Sequence, residues 1–313
     1  MHLSYSTWGM PTLPIDAAVA HCAATGFDGL ELTVIPGWTT DAAGIDAAER
    51  QRIRRLYNDH RLDLCGVCAN TPLLDPDPAA HAANMDRFRS YLDLAAELQR
   101  PGEALTVSTT SGGNPADWDA EKDRLVERFG SLAEDAARRG LTLGMEPHVA
   151  AALHRPADVL WLLDQIRSPA LTIHFDISHF NVQGLDMDET VAALAPHSAH
   201  THVKDERGQA PDHEFLIPGE GEMDYPRYLR AMDRAGYTGH IVVEVSLMVQ
   251  RRPGYDPLTA ATRSYEVLAA AFTAAGTVRP ERASMCAAAN LSNRRRSDAD
   301  ADVKADTILG TGR

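Results

Sequence analysis

Apolar and polar positions along the chain repeat a strand-then-helix pattern from the first residues onward. HLSYSTW reads as a short strand, and the segment 14–25 as a helix stopped by Gly26. FDGLELTV predicts a second strand, 45–60 a second helix, and LDLCGVCA a third strand. A long helix comes next over 79–99, with Met85, Phe88, Leu92 and Ala95 on one face. ALTVSTTSGG is a fourth strand running into a glycine-rich loop, and Leu125, Phe129, Leu132 and Ala136 fall at helical spacing before Gly140. LTLGMEPH is strand five, Pro156 opens a helix to 165, and LTIHFDI is strand six. Asp186 and Glu189 have capping-box spacing ahead of a short helix, and HSAHTHV is strand seven. A helix over 224–235 ends at Gly236, HIVVEV is strand eight, and Asp256-Pro257 opens a last helix to 275.

Eight such units predict a closed (β/α)8 TIM barrel over residues 1–276. An open doubly wound sheet is the rival, but WGMPTLP stands after strand one, where a dinucleotide site would need a glycine-rich loop. Residues 277–313 lack periodicity and carry a triple arginine and an aspartate-rich run, which predicts a disordered tail, with partner binding as the alternative. The segment 206–223, which runs into PGEGEMDY, is long for a loop in a compact domain and is expected to cover an active site.

The strand ends carry the candidate chemistry. Strands five to eight bring Glu146, Asp176, His202 and Glu244 to their C-terminal ends, where a TIM barrel keeps its active site. Side chains alternate along a strand, so His174 shares a face with Asp176, and His200 and Lys204 with His202. Charge at the inward end of a buried strand is costly unless a cation or hydrogen bonds compensate it. Three carboxylates and one imidazole suit Mn²⁺, Mg²⁺ or Co²⁺, with Mn²⁺ first and Zn²⁺ also compatible; buried salt bridges of a barrel rim are the plain alternative. Four protein ligands leave positions for two adjacent oxygens of a hydroxy-ketone, whose neighbouring C–H the cation acidifies. Glu146 and Glu244 come from separated strands and could approach different faces of a bound substrate, His148 and likewise His179 are candidate bases or acids, and Arg207 could bind a substrate oxygen or simply be solvated. His174 and His200 read as hydrogen-bonded barrel-interior residues, Glu31 as a pocket or a rim charge, and Trp8 and Trp38 as packing or a sugar wall.

Charge and cysteine content narrow the rest. Lys+Arg 30 against Asp+Glu 44 gives a net charge of −14, which disfavours nucleic acid as a partner. No apolar run is long enough to span a bilayer, and MHLSYSTWG lacks a signal-peptide layout, so no membrane association and a cytoplasmic location are expected. Cys65 and Cys68 form a single C-x2-C inside an apolar strand and read as packed thiols rather than a zinc or redox pair; Cys22 and Cys286 complete the set.

Glu146, the Asp176/His179 pair in FDISHF, His202 in HTHVKD, PGEGEMDY, and Glu244 in VVEVS together resemble the xylose isomerase-like TIM barrels, which include sugar phosphate isomerases and epimerases and the family 2 AP endonucleases. The resemblance implies that Glu146, Asp176, His202 and Glu244 hold a divalent metal, that the two glutamates act as acid and base in epimerases, and that His179 contacts substrate. Ketose 3-epimerases place a further glutamate where this chain has Ala152, and the DNA-cleaving members carry a histidine that STTSGG lacks. MEPH, HEFLIPGEGEMDYPRYL and VEVSLMVQRRPGYDPLTAA look most like the catalytic α subunits of bacterial C-glycoside deglycosidases. That likeness implies a lyase that enolises a 3-oxo-glycoside with His148 as base, eliminates the aglycone, and works with a small β subunit. A keto-sugar isomerase or epimerase using the same metal is the alternative, and a non-catalytic binding barrel a further one.

Overall fold

The computed structural model describes residues 1–280. The tail expected over 277–313 therefore lies, from 281 on, outside the described residues. Among the described residues ten strands form: β1 (His2–Ser6), β2 (Gly29–Thr33), β3 (Asp63–Cys68), β4 (Thr106–Thr110), β5 (Thr142–Glu146), β6 (Leu171–Asp176), β7 (Ser198–Val203), β8 (Asp205–Arg207), β9 (Glu214–Leu216) and β10 (His240–Val243). Eight of them close into a parallel barrel in the order β1-β10-β7-β6-β5-β4-β3-β2, ringed by helices, which is the (β/α)8 TIM barrel.

The helices begin where the chain offers caps. Asp46, Asp77, Asp186, Asp224 and Asp256 each accept a backbone N–H of the helical turn they precede, and Pro78, Pro156 and Pro257 stand at first-turn positions where a missing N–H costs nothing. Gly26 ends the first helix at φ 115, and a Cβ there would lie 2.5 Å from the Tyr265 hydroxyl, so both backbone and packing demand glycine. Outward-facing strand residues such as Leu3, Leu30, Leu32, Val107, Leu143, Ile173 and Ile241 pack with helix residues such as Val19, Phe88, Leu125, Phe129 and Leu268 in one apolar layer.

The segment 206–223 departs from the expected loop. Its first part folds as the antiparallel hairpin β8–β9, with Asp205 opposite Leu216 and Arg207 opposite Glu214. Three-residue strands carrying charges have no readable alternation, which is why the pattern suggests a loop. Among the described residues no helix is long and apolar enough to cross a membrane.

Candidate metal centre and active site

Parallel strands of one barrel end at the same rim, so residues far apart in sequence meet there. Asp176 is in register with His202, and β5 and β10 flank the β6–β7 pair that carries them. One ligand atom from each of Glu146, Asp176, His202 and Glu244 lies within 4.8 Å of the others, and all four residues are buried. Lys204, two beyond His202 and so on the same side, places its ammonium against both Asp176 and Glu244.

The donor set fits a divalent cation. His202 Nδ1 is buried, lies 3.7 Å from Glu244 Oε2 and has no hydrogen-bond partner, as a metal-binding lone pair would be. Three carboxylates offset by the Lys204 ammonium leave two negative charges, the amount a divalent ion neutralises. Burial, helped by the Glu244 and Asp176 charges and only partly offset by His202, pushes the Glu146 carboxyl up to about 8, a frustration that a cation would relieve. Asp176 is held far below the ordinary carboxylate range, because the Lys204 ammonium and then the neighbouring histidines outweigh its burial. Burial alone would lower His202, but Glu31, Glu244 and Glu146 outweigh it and raise the imidazole to about 9. Binding through Nδ1 therefore releases a proton.

The remaining candidates divide. His179, 2% exposed, sets Nε2 3.6 Å from Asp176 Oδ2 and 3.9 Å from Glu146 Oε1, directly beside the ligands. His148 packs its ring on that of His179, with centroids 3.9 Å apart. Burial and the Lys204 charge pull His148 down to about 4, so it is neutral at pH 7. Its Nδ1 accepts the Ala150 N–H, so the single proton of the neutral ring sits on Nε2. His148 thus faces its surroundings as a hydrogen-bond donor; the sequence left it as a base or an acid. Arg207 is placed elsewhere: its exposed guanidinium bonds the Glu220 carbonyl and lies 3.6 Å from Glu214, tying the hairpin rather than entering the cluster.

Residues left open by the sequence acquire positions. Glu31 is fully buried beneath the cluster, accepting from His200 and His202. Lys204 shared a face with His202 in the strand pattern, but its bridging contacts required the fold. Trp8 and Trp38 stack on each other, centroids 4.6 Å apart, and Trp38 Nε1 donates to the carbonyls of Thr7 and Trp8. Cys65 and Cys68 are free thiols raised by burial, and neither belongs to a metal-ligand group among the described residues.

Buried neutral histidines give stability a sign with pH. Burial, reinforced by His202 and His200, holds His174 well below the usual imidazole value, and burial with His2 and His200 does the same to His240. A depressed folded-state pKa means stability is full above the unfolded value of about 6.5 and falls as pH drops below it, by about 1.4 kcal/mol per pH unit for each ring. Between pH 6.5 and 5 the metal-free chain is expected to lose stability, because the depressed buried rings of His148, His174, His179 and His240 outnumber the Glu146 and Glu206 carboxyls, which burial raises to about 8 and which act in the opposite sense. Urea unfolding across that range checks this, and a flat midpoint would show that the rings find protonated partners.

The comparisons with known proteins agree with this architecture. Residues 19–270 match the xylose isomerase-like TIM barrel family. The chain belongs to that family. It is 26% identical over 259 residues to fructoselysine 3-epimerase of Escherichia coli O157:H7, covering 79% of this chain and 91% of that one. The crystal structure of a 3-keto-D-glucoside 4-epimerase from E. coli superposes with a TM-score of 0.69 at 16% identity, over 86% of this chain and 99% of the other. A xylose isomerase-like TIM barrel protein from Mycobacterium smegmatis, in complex with magnesium, gives 0.65 at 18% identity, over 88% and 97%. Several of the relatives found are named as sugar epimerases, which supports an enzyme.

Proposed function

We propose that this chain is a divalent-metal-dependent enzyme that removes a proton from the carbon beside a keto-sugar carbonyl and returns it, as an epimerase or isomerase. The observation that carries the reading is the convergence of Glu146, Asp176, His202 and Glu244 within 4.8 Å at the barrel mouth. A bound cation, with Mn²⁺ or Mg²⁺ suited to the oxygen-rich donors, would polarise the carbonyl as a Lewis acid. Glu146 and Glu244 come from strands separated by β6 and β7, so one can take a proton from one face of the substrate while the other delivers one from the opposite face. His148 Nε2–H and His179 supply hydrogen bonds to substrate oxygens, and Lys204 ties Asp176 to Glu244 in a buried site. Fructoselysine 3-epimerase and L-ribulose 3-epimerase among the relatives support this outcome.

A second reading shares the first proton transfer and differs in the fate of the deprotonated sugar. Ala152, fully buried, stands where ketose 3-epimerases carry a further glutamate, and His148 offers a proton. A 3-oxo-glycoside deprotonated by a glutamate would then lose its aglycone, with the protonated glutamate returning that proton to the leaving group and His148 Nε2–H hydrogen-bonding it, in the manner of a C-glycoside deglycosidase α subunit working with a small β subunit. Incubation in D₂O with Mn²⁺, with ketoses and with 3-oxo-glucosides, separates the readings. Deuterium beside the carbonyl of an intact sugar is expected. Free aglycone would select the elimination, and neither exchange nor release from any substrate would overturn the shared step.

A further inference from the structure

We propose that Glu31 is a positioning residue: held by Ser6 and His200, it fixes the proton of His202 on Nε2 and thereby leaves Nδ1 as the lone pair offered to the cation. The inference rests on the metal reading of Glu146, Asp176, His202 and Glu244. An ionised carboxylate only accepts hydrogen bonds, so the 2.7 Å contact between Glu31 Oε2 and His202 Nε2 requires the proton on Nε2. The opposite nitrogen, Nδ1, is the one facing Glu244 without a partner. Glu31 itself has no freedom to turn away. His200 Nε2 lies 2.8 Å from its Oε1, and the Ser6 hydroxyl donates to Oε2.

The chain of contacts reaches one step further across the barrel. A Cβ at Gly66 would stand 2.6 Å from His200 Cε1 and 2.8 Å from its Nε2, so the β3 backbone can lie against that ring only because residue 66 is glycine. The glycine inside the C-x2-C segment is thus explained by His200, and not by redox or zinc chemistry at its flanking thiols. Gly66, His200, Glu31 and His202 form a line from β3 through β7 and β2 to the metal ligand. Glu31, His174, His200 and His202 also bring ligand atoms within 4.8 Å of one another. Both Glu31 oxygens already accept hydrogen bonds, so this group is assigned to sharing protons and not to a second cation. A carboxylate behind a metal-bound imidazole orients the ring and raises its basicity, and losing such a partner costs roughly 10- to 100-fold in affinity.

The test uses the purified full-length chain and two substitutions. Glu31→Gln replaces two accepting oxygens by one oxygen and an NH₂ that repels an imidazole N–H; Gly66→Ala pushes His200 without touching a ligand. Equilibrium dialysis against Mn²⁺ and Zn²⁺ gives affinity and stoichiometry, and imidazole ¹⁵N spectra of the zinc-loaded wild type locate the His202 proton. The expected result is one ion per chain, a proton on Nε2, and dissociation constants raised about 10- to 100-fold by Glu31→Gln and in the same direction by Gly66→Ala. Wild type that binds while both variants bind equally well, or whose proton sits on Nδ1, overturns the role of Glu31 alone. Two ions in wild type with one lost in Glu31→Gln would make Glu31 a ligand instead. A wild-type chain retaining no cation at all overturns the metal reading and this inference with it. If Glu31→Gln does not fold, the wild-type spectrum and Gly66→Ala still decide.

Discussion

Replacing Glu146 by glutamine is expected to lower turnover by at least about 10² to 10⁴ while making the metal-free protein more stable, a combination that ordinary core damage cannot produce. The catalytic loss comes from two deletions at once, a charged ligand and an acid or base. The gain in stability comes from linkage. Burial beside Glu244 and Asp176 raises the Glu146 carboxyl to about 8, so at pH 7 the folded chain must bind a proton that the unfolded chain does not. Raised folded-state carboxyl pKa values cost stability above the unfolded value, and removing the titrating group recovers about 2–3 kcal/mol. Divalent ions should reverse the ranking, because wild type gains stability by binding and the variant gains less. Melting of both proteins with chelator and with Mn²⁺, alongside the D₂O exchange assay, checks all of this. A variant less stable than wild type in chelator would show that Glu146 is a structural partner and not a strained ligand.

The four candidate ligand positions stand out because each interrupts or ends an apolar strand with a charge that a barrel core does not tolerate alone. Glu31 breaks its strand in the same way, in GLELT, yet its purpose stayed open because the partners that justify it, His200 and His202, sit at sequence separations of 169 and 171. Alternation also assigned His200, His202 and Lys204 to one face correctly, but could not say that one carboxylate would hold two of these imidazoles or that the ammonium would reach Asp176 and Glu244. The direction in which His148 offers its proton was illegible for a different reason. It depends on a single turn hydrogen bond from Ala150, and strand logic runs out where the turn begins. Arg207 shows the converse: a cation five residues past a ligand suggests substrate, while the hairpin that redirects it leaves no periodic trace.

Substituting Asp205 by alanine is expected to destabilise the protein by about 3–5 kcal/mol and to weaken substrate binding, although Asp205 is not among the four ligands. This carboxylate is 1% exposed and accepts three backbone N–H groups: Oδ1 takes Glu206 and Met223, at 3.0 Å each, and Oδ2 takes Gly219 at 2.7 Å. It is the internal partner of the PGEGEMDY segment, whose glycines now have reasons. Gly219 turns at φ 89, and a Cβ at Gly221 would stand 2.4 Å from both Asp205 Oδ1 and the Glu206 carbonyl. The segment is wrapped on Asp205, and the hairpin it closes carries Phe215, which meets the His179 ring edge-on at 5.0 Å and lies 5.0 Å from Lys204 Nζ. Deleting the carboxylate leaves the buried Glu206 and Met223 amides unpaired and frees the wall that packs His179 and Lys204 beside the candidate ligands. Asp205→Asn keeps one accepting oxygen and should cost about half as much. Denaturant unfolding gives the stability change, and steady-state kinetics should show KM rising more than kcat falls. A loss below about 1 kcal/mol for the alanine variant would mean that water replaces Asp205 at all three amides, and that the segment holds its shape without it.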